Sequence, residues 1–165
     1  MKIQILDRAK KKKFIAGLSD LGMKKIPELL IRSGKEKIRA YSGSLSTEQI
    51  MEIWRLFPIE AVGLYVGKDM LNRNGVREVR LSLDGMHTWK EQLTERNFML
   101  TEEQEKKWFL GEDIELEESQ KVEDGFVSVK SADGKDFIGV GKIGDSGKTL
   151  YGFLPKERRR KERMG

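Results

Sequence analysis

The chain has 165 residues, with 32 basic and 27 acidic side chains, 38% hydrophobic and 36% charged residues, one histidine and no cysteine. That length suits one compact domain or two small ones. The missing cysteines exclude a thiolate nucleophile, a cysteine-ligated zinc and an iron–sulfur cluster, and a single histidine excludes a two-histidine metal site within the chain.

From the N-terminus, Met1-Lys2-Ile3-Gln4-Ile5-Leu6 is followed by Asp7 and then Lys10-Lys11-Lys12-Lys13, so it lacks the apolar core of a signal peptide. With a mean hydropathy of −0.57 and no apolar run long enough for a membrane span, the sequence reads as soluble, with the cytoplasm as default location. Phe14, Ile15, Leu18 and Leu21 recur at helical spacing, which predicts a helix from Asp7 to Leu21 with Gly22 just past its end. Glu28–Arg32 and Lys37–Tyr41 read as the two arms of a hairpin around Ser33-Gly34-Lys35-Glu36. Ser46-Thr47-Glu48-Gln49 is a capping box, flanked by Leu45 and Ile50 as a hydrophobic staple. It opens a helix whose apolar stripe is Ile50, Ile53, Trp54 and Phe57, with Trp54 in the core and Pro58 as the stop.

Ala61–Gly67 and Val76–Leu83 are expected to be strands joined by a turn containing Asn72, Asn74 and Gly75. Val79, Leu81 and Leu83 then share one face, and strand parity puts Arg77 and Arg80 on opposite faces. Asp84 is positioned to cap a short helix containing His87 and Trp89. His87 reads as a surface or partly buried side chain rather than a catalytic group, because no Gly-x-Ser-x-Gly elbow accompanies it. A phosphate-cradling Gly-x-x-x-x-Gly-Lys-Ser/Thr loop is missing too. The composition therefore favours a binding module over an enzyme, with no cofactor and no metal.

The texture changes near residues 92 to 97. A second capping box, Thr101 with Gln104, opens a helix running to Leu110, and Gly111 is its C′ residue. Short strands follow at Phe126–Lys130, Phe137–Ile143 and Thr149–Leu154, with Asp133-Gly134 as a hairpin turn. Seven of the 17 glycines fall between residues 125 and 152, a density that suits the tight bends of a small barrel. The expected fold class is α+β: a small N-terminal α/β domain over residues 1–93 and a β-barrel domain over residues 94–165.

Charge is divided along the chain. Residues 1–91 hold 18 basic and 11 acidic groups, residues 92–136 hold 6 and 13, and residues 137–165 hold 8 and 3. Two basic segments thus flank an acidic one. Lys10–Lys13 and the run from Lys156 to Arg163, with a pI of 9.3, point to a polyanionic partner, since each Lys or Arg that neutralises a phosphate adds affinity without sequence readout. The acidic residues between 101 and 118 would repel phosphate, so they either face away from such a ligand or dock a basic protein. The second option makes the chain a protein-interaction scaffold, the alternative function. Neither basic run lies on a helix with a broad apolar face, which argues against a membrane partner.

The second half resembles a PUA or PUA-like RNA-binding domain. The resemblance is carried by Trp108-Phe109-Leu110-Gly111-Glu112-Asp113-Ile114, then Asp124-Gly125-Phe126-Val127-Ser128-Val129-Lys130, then Gly134-Lys135-Asp136-Phe137-Ile138-Gly139-Val140-Gly141-Lys142-Ile143. Gly139-Val140-Gly141-Lys142, Gly147-Lys148-Thr149-Leu150 and Leu154-Pro155-Lys156-Glu157-Arg158-Arg159 are similar to the end of the PUA-like domain attached to Sun-type RNA cytosine-C5 methyltransferases. Gly63-Leu64-Tyr65-Val66-Gly67 and Arg80-Leu81-Ser82 resemble the pre-PUA regions of archaeal ribosome-biogenesis proteins.

The resemblance implies a pre-PUA-like domain followed by a PUA-like barrel. It implies a protein that binds structured rRNA or tRNA, as an accessory factor in ribosome biogenesis, rRNA processing or RNA cytosine-C5 methylation, with an RNA methyltransferase or a pre-ribosomal particle as partner. That methyltransferase family uses a cysteine nucleophile and S-adenosylmethionine bound in a glycine-rich domain, and this chain has neither. The residues expected to bind RNA are Lys142, Lys148, Tyr151, Lys156, Arg158, Arg159 and Arg160: cations for phosphate and one ring for base stacking. Arg158–Arg160 are the favoured phosphate contacts because packing does not require such a density of charge. Gly139 and Gly141 are read either as barrel curvature or as room for an RNA backbone to approach.

Overall fold

The structure, a computed structural model, describes residues 2–57 and 62–161. The chain divides into two compact units, one of Met1–Ser19 with Met23–Trp89 and the other of Asp20–Gly22 with Lys90–Gly165. Helices and strands occur in both, so the fold class is α+β. Among the described residues no helix is long and apolar enough to cross a membrane.

The first unit contains β1 (Ile3–Ile5), α1 (Arg8–Ala16), β2 (Leu29–Ser33), β3 (Lys37–Tyr41), α2 (Thr47–Leu56), β4 (Leu64–Leu71), β5 (Arg77–Leu81) and α3 (Leu83–Thr88). Its five strands form an antiparallel meander in chain order. Alternation divides the side chains between two apolar layers. Leu30, Ile38, Val79 and Leu81 are buried on one face, which α1 covers with its buried Phe14. Ile3 and Ile31 lie on the other, clustered with Ile50 of α2 and with partly buried Met51 and Trp54.

The hairpin expected around Gly34 is present, with Ser33 opposite Lys37. Asp7 caps α1 by accepting from the Lys10 amide, but the helix ends at Ala16 and a 3-10 turn follows at Ser19–Leu21. The single long helix expected to Leu21 is broken at Gly17, which passes so close to Val79 of β5 that a Cβ there would collide with it. In α2 the capping box is complete, Ser46 accepting from Gln49 N and the Gln49 side chain from Ser46 N. The buried stripe of α2 is rotated from the expected one. Ile50, Met51 and Trp54 face the sheet, Trp54 only half-buried, while Ile53 and Phe57 are 37% and 65% exposed. Pro58 and Ala61, the expected stop and strand start, lie outside the described residues. Leu83 belongs to α3 rather than to a strand, and Ser82, not Asp84, caps that helix: its hydroxyl accepts from Gly85 N at 2.9 Å and donates to Tyr65 O at 2.6 Å.

The second unit contains β6 (Asn97–Met99), α4 (Glu102–Leu110), β7 (Ile114–Glu115), β8 (Gly125–Lys130), β9 (Phe137–Gly144) and β10 (Thr149–Gly152), with 3-10 turns at Lys90–Gln92, Glu118–Gln120 and Lys156–Arg158. Its sheet runs β6-β8-β9-β10-β7, with β6 parallel to β8 and the remaining pairs antiparallel. The sheet curls as a half-barrel, with β6 and β7 at its two edges. All five strands contribute to one core cluster: Phe98, Val127, Val129, Ile143, Leu150 and Ile114 pack with Trp108 of α4.

α4 has the expected boundaries for the expected reasons. Thr101 and Gln104 form the capping box, and Gly111 at φ 80° supplies the left-handed residue that closes the helix. Trp108 dictates where the strands carry glycine. A Cβ at Gly139 would lie 2.7 Å from Trp108 Cζ2, and one at Gly152 would lie 3.0 Å from Cζ3.

Candidate nucleic-acid interface

In the second unit, strand alternation puts Val127, Ile143 and Leu150 on the core face and the intervening side chains on the other, where Ser128 and Val140 are buried and their neighbours are partly accessible. Phe126 of β8 is directly opposite Lys142 of β9, which is directly opposite Tyr151 of β10. These three side chains therefore form a row across the outer face of the sheet. The Lys142 ammonium lies over the Phe126 ring, 5.4 Å from its centroid. Phe153, just beyond β10 and 37% exposed, adds a second ring whose centroid is 6.2 Å from that of Phe126, tilted by 51°. Phe126, Lys142 and Tyr151 are each half-buried.

Tyr151 is held at its tip. Its hydroxyl donates to the Asp145 carboxylate. That hydrogen bond raises the phenol's pKa and lowers the carboxyl's, so at neutral pH the pair is a neutral phenol on a carboxylate. Asp145 occupies the β9–β10 turn, where Asp145, Ser146 and Gly147 all have positive φ, of 55°, 58° and 81°. Lys148 follows in the same turn, is exposed, and acts electrostatically on Asp145.

The remaining candidates separate into two groups. Lys156 and Arg158 are exposed on the 3-10 turn that follows Phe153. Arg159 and Arg160 instead fasten the chain to the C-terminal end of α4. Arg159 Nε donates to Leu154 O at 3.0 Å, and its guanidinium lies over Gly111, so close that a Cβ there would be 2.6 Å from Nε. Arg160 N donates to Phe109 O at 2.6 Å, and its guanidinium stacks on the Phe109 ring at 4.7 Å. Cations in this place also satisfy the negative end of the helix dipole. Packing thus accounts for two of the three arginines whose density suggested phosphate contact. Glu162 and Arg163, the end of the basic run, lie outside the described residues.

The glycines of β9 do not open the sheet to a ligand. Gly139 and Gly141 pair with Val129 and Val127 on the core side, and a Cβ at Gly141 would lie 2.5 Å from Leu150 Cδ1. They make room for Trp108 and Leu150. The acidic segment also has internal work: Glu102, Glu103 and Glu105 occupy the first turn of α4, where they complement its dipole, and Glu105 accepts from Ala132 N at 3.2 Å. Glu115 is paired with Thr149, which puts it on the same outer face as Tyr151, at the β7 edge.

Phe126 and Phe153 are the residues that sequence reasoning missed. Once Val127 and Val129 are taken as core, alternation alone puts Phe126 on the outside. Phe153 carries no such signal, because it follows the strand's end. In the first unit Arg77 and Arg80 do lie on opposite faces. Arg77 pairs with Asp69, while Arg80 is half-buried near Tyr65, where burial lowers its pKa and the Tyr65 hydroxyl opposes that shift. His87 is exposed. Comparison of the chain with protein-family models gives no match, and no curated protein matches it.

Proposed function

We propose that this protein is a non-catalytic RNA-binding protein of the cytoplasm that recognises structured rRNA or tRNA, as an accessory factor in ribosome biogenesis or RNA cytosine-C5 methylation. In this reading the second unit is a PUA-like domain and the first a pre-PUA-like domain. The supporting observation is the row Phe126–Lys142–Tyr151, with Phe153 beside Phe126, Lys148 in the turn that joins β9 to β10, and Lys156 and Arg158 exposed on the 3-10 turn that follows Phe153 in the chain. Partly accessible rings on a sheet face give bases a surface to stack on, and nearby cations meet the phosphates that a splayed strand carries with it. A catalytic role has no comparable support, since the row holds one phenol already committed to Asp145 and no nucleophile beside a base.

The test is fluorescence anisotropy of the full chain with a labelled tRNA transcript and a labelled rRNA stem-loop. Tyr151→Ala and Phe126→Ala are each expected to weaken binding by roughly 5- to 150-fold, the range for loss of one stacked base. Binding that is absent in the wild type, or unaltered in both variants, overturns the reading. Sequencing RNA that co-purifies with the protein identifies the class of RNA.

A further inference from the structure

Four consecutive lysines on a helix point in four directions, about 100° apart, so Lys10–Lys13 is not one patch. Lys11 Nζ donates to Glu28 O at 2.7 Å and is thereby used. Lys10 and Lys13, three residues apart, share a side of α1 and line a cleft of about 550 Å³ within the first unit. The opposite wall comes from the α1-facing side of the sheet and the β2–β3 turn: Arg32, Lys35, Asp69 and Arg77.

Asp69 organises that wall. Its carboxylate, 11% exposed, accepts from Arg32 Nη2 at 2.9 Å and from Arg77 through Nε at 2.8 Å and Nη2 at 3.1 Å. Arg32 Nη1 donates in addition to Lys35 O at 3.0 Å, which ties the turn to the same network. Two guanidinium groups are thus fixed side by side by one carboxylate. The cleft holds five cations against two carboxylates, Asp69 and Glu36, a formal excess of +3. Glu36 is shared with Lys68 at 4.0 Å. The ammonium groups of Lys10, Lys13 and Lys35 and the Nη1 of Arg77 have no hydrogen-bond or ion-pair partner among the described residues.

We propose that this cleft is a second, separate binding site of the protein and that it takes a phosphoryl group. An excess of three positive charges in a concave site focuses a field that favours a multiply charged anion over a single carboxylate. A pre-oriented Arg pair with surrounding ammonium groups matches the several acceptor oxygens of a phosphate. Met70 and Leu71 line the same cleft and offer an apolar wall to the organic part of a phosphorylated molecule. The phosphoryl group comes either from a free phosphorylated compound or from an RNA backbone, and the chemistry at the cleft is the same. The proposal does not depend on the RNA reading of the second unit.

The test is ¹H–¹⁵N NMR of the labelled full chain, titrated with pyrophosphate, with sodium chloride at matched ionic strength, and with the tRNA transcript. Saturable shifts at the amides of residues 10–13, Arg32, Lys35 and Arg77 are expected with pyrophosphate, and a Lys13→Glu/Lys35→Glu variant should bind at least tenfold more weakly. Both lysines are exposed, so the variant keeps its dispersed spectrum. Shifts with pyrophosphate and not with the RNA assign the source to a free compound, and shifts with the RNA assign it to a nucleic-acid backbone; either supports the site. No saturable change at the cleft with either probe, equal shifts with chloride, or undiminished binding by the charge-reversed variant overturns it. Phe126→Ala/Tyr151→Ala should lose RNA affinity through the second unit and keep the pyrophosphate shifts, which separates failure of one proposal from failure of the other.

Discussion

Trp108 shows how much one side chain can decide. It is 2% exposed, its Nε1 donates to Ile138 O at 3.3 Å, and its six-membered ring is flanked by two glycines from different strands. Trp108→Ala is expected to lower stability by about 3–5 kcal/mol, read from urea unfolding, because the ring leaves a cavity that the curled sheet cannot close. Gly139→Ala tests the same contact from the other side: at φ 150° and with its Cβ 2.7 Å from the indole, it should destabilise although it adds only a methyl group. Asp69 is the polar counterpart. Burial pushes its carboxyl pKa up, but the hydrogen bonds from Arg77 and Arg32 outweigh that and hold it below the ordinary value of 3.8. A carboxyl lowered in this way stabilises the fold fully above about pH 4 and loses its contribution as the pH falls through its folded pKa. Asp69→Asn should therefore destabilise by about 1.5–3 kcal/mol at pH 7, the range for hydrogen bonds to a charged group. The gap from wild type should narrow as unfolding is measured at progressively lower pH below 3.8. At this scale the sequence was least informative. The partner of Arg77 is brought to it by strand register from eight residues away, and that of Arg32 from 37, so no local pattern announces either.

Helices with their start signals inside the chain's own local sequence were legible. Both capping boxes form as read, since an Ser or Thr hydroxyl and a Gln amide three residues on satisfy each other without help from the rest of the fold. The shortest edge strands were not: β1, β6 and β7 have three, three and two residues, too short to show alternation, and they exist through the strands they pair with, whereas the five-residue edge strand β5 was legible. The stripe of α2 was misread for a related reason, because the residues that satisfy helical spacing exceed those the sheet can cover. Gln104 marks where a cap becomes a tertiary contact. It is 7% exposed, its amide exchanges hydrogen bonds with Gln120 at 2.7 and 2.8 Å, and it donates to Glu115 O at 3.3 Å. Gln49 makes only the cap and is exposed. Gln104→Ala should thus cost about 2–3 kcal/mol and Gln49→Ala about 1 kcal/mol or less, a difference that thermal unfolding of the two variants resolves.

Across the whole molecule the formal charge of +5 is a small residue of large local excesses, and those excesses do different work. Part of the C-terminal basic run is structural: Arg159 and Arg160 are occupied by Leu154, Gly111 and Phe109. The other cations proposed to meet RNA are Lys142 on the aromatic row, Lys148 in the β9–β10 turn, and Lys156 and Arg158 on the turn after Phe153. If each meets one phosphate, four contacts give a slope of log K against log salt of about −3, at roughly 0.7 to 0.9 per phosphate. Replacing Lys148, Lys156 and Arg158 together by alanine should reduce the magnitude of that slope by about 2 to 3. Arg159→Ala/Arg160→Ala should leave the slope nearly unchanged and lower the melting temperature instead, because their guanidiniums are held by the protein before any RNA arrives. Anisotropy titrations at several salt concentrations, run beside thermal unfolding on the same samples, separate the two classes of cation. A slope that changes equally in both variants would mean that the run acts as one diffuse basic tail, and that the contacts Arg159 and Arg160 make with α4 give way when RNA binds.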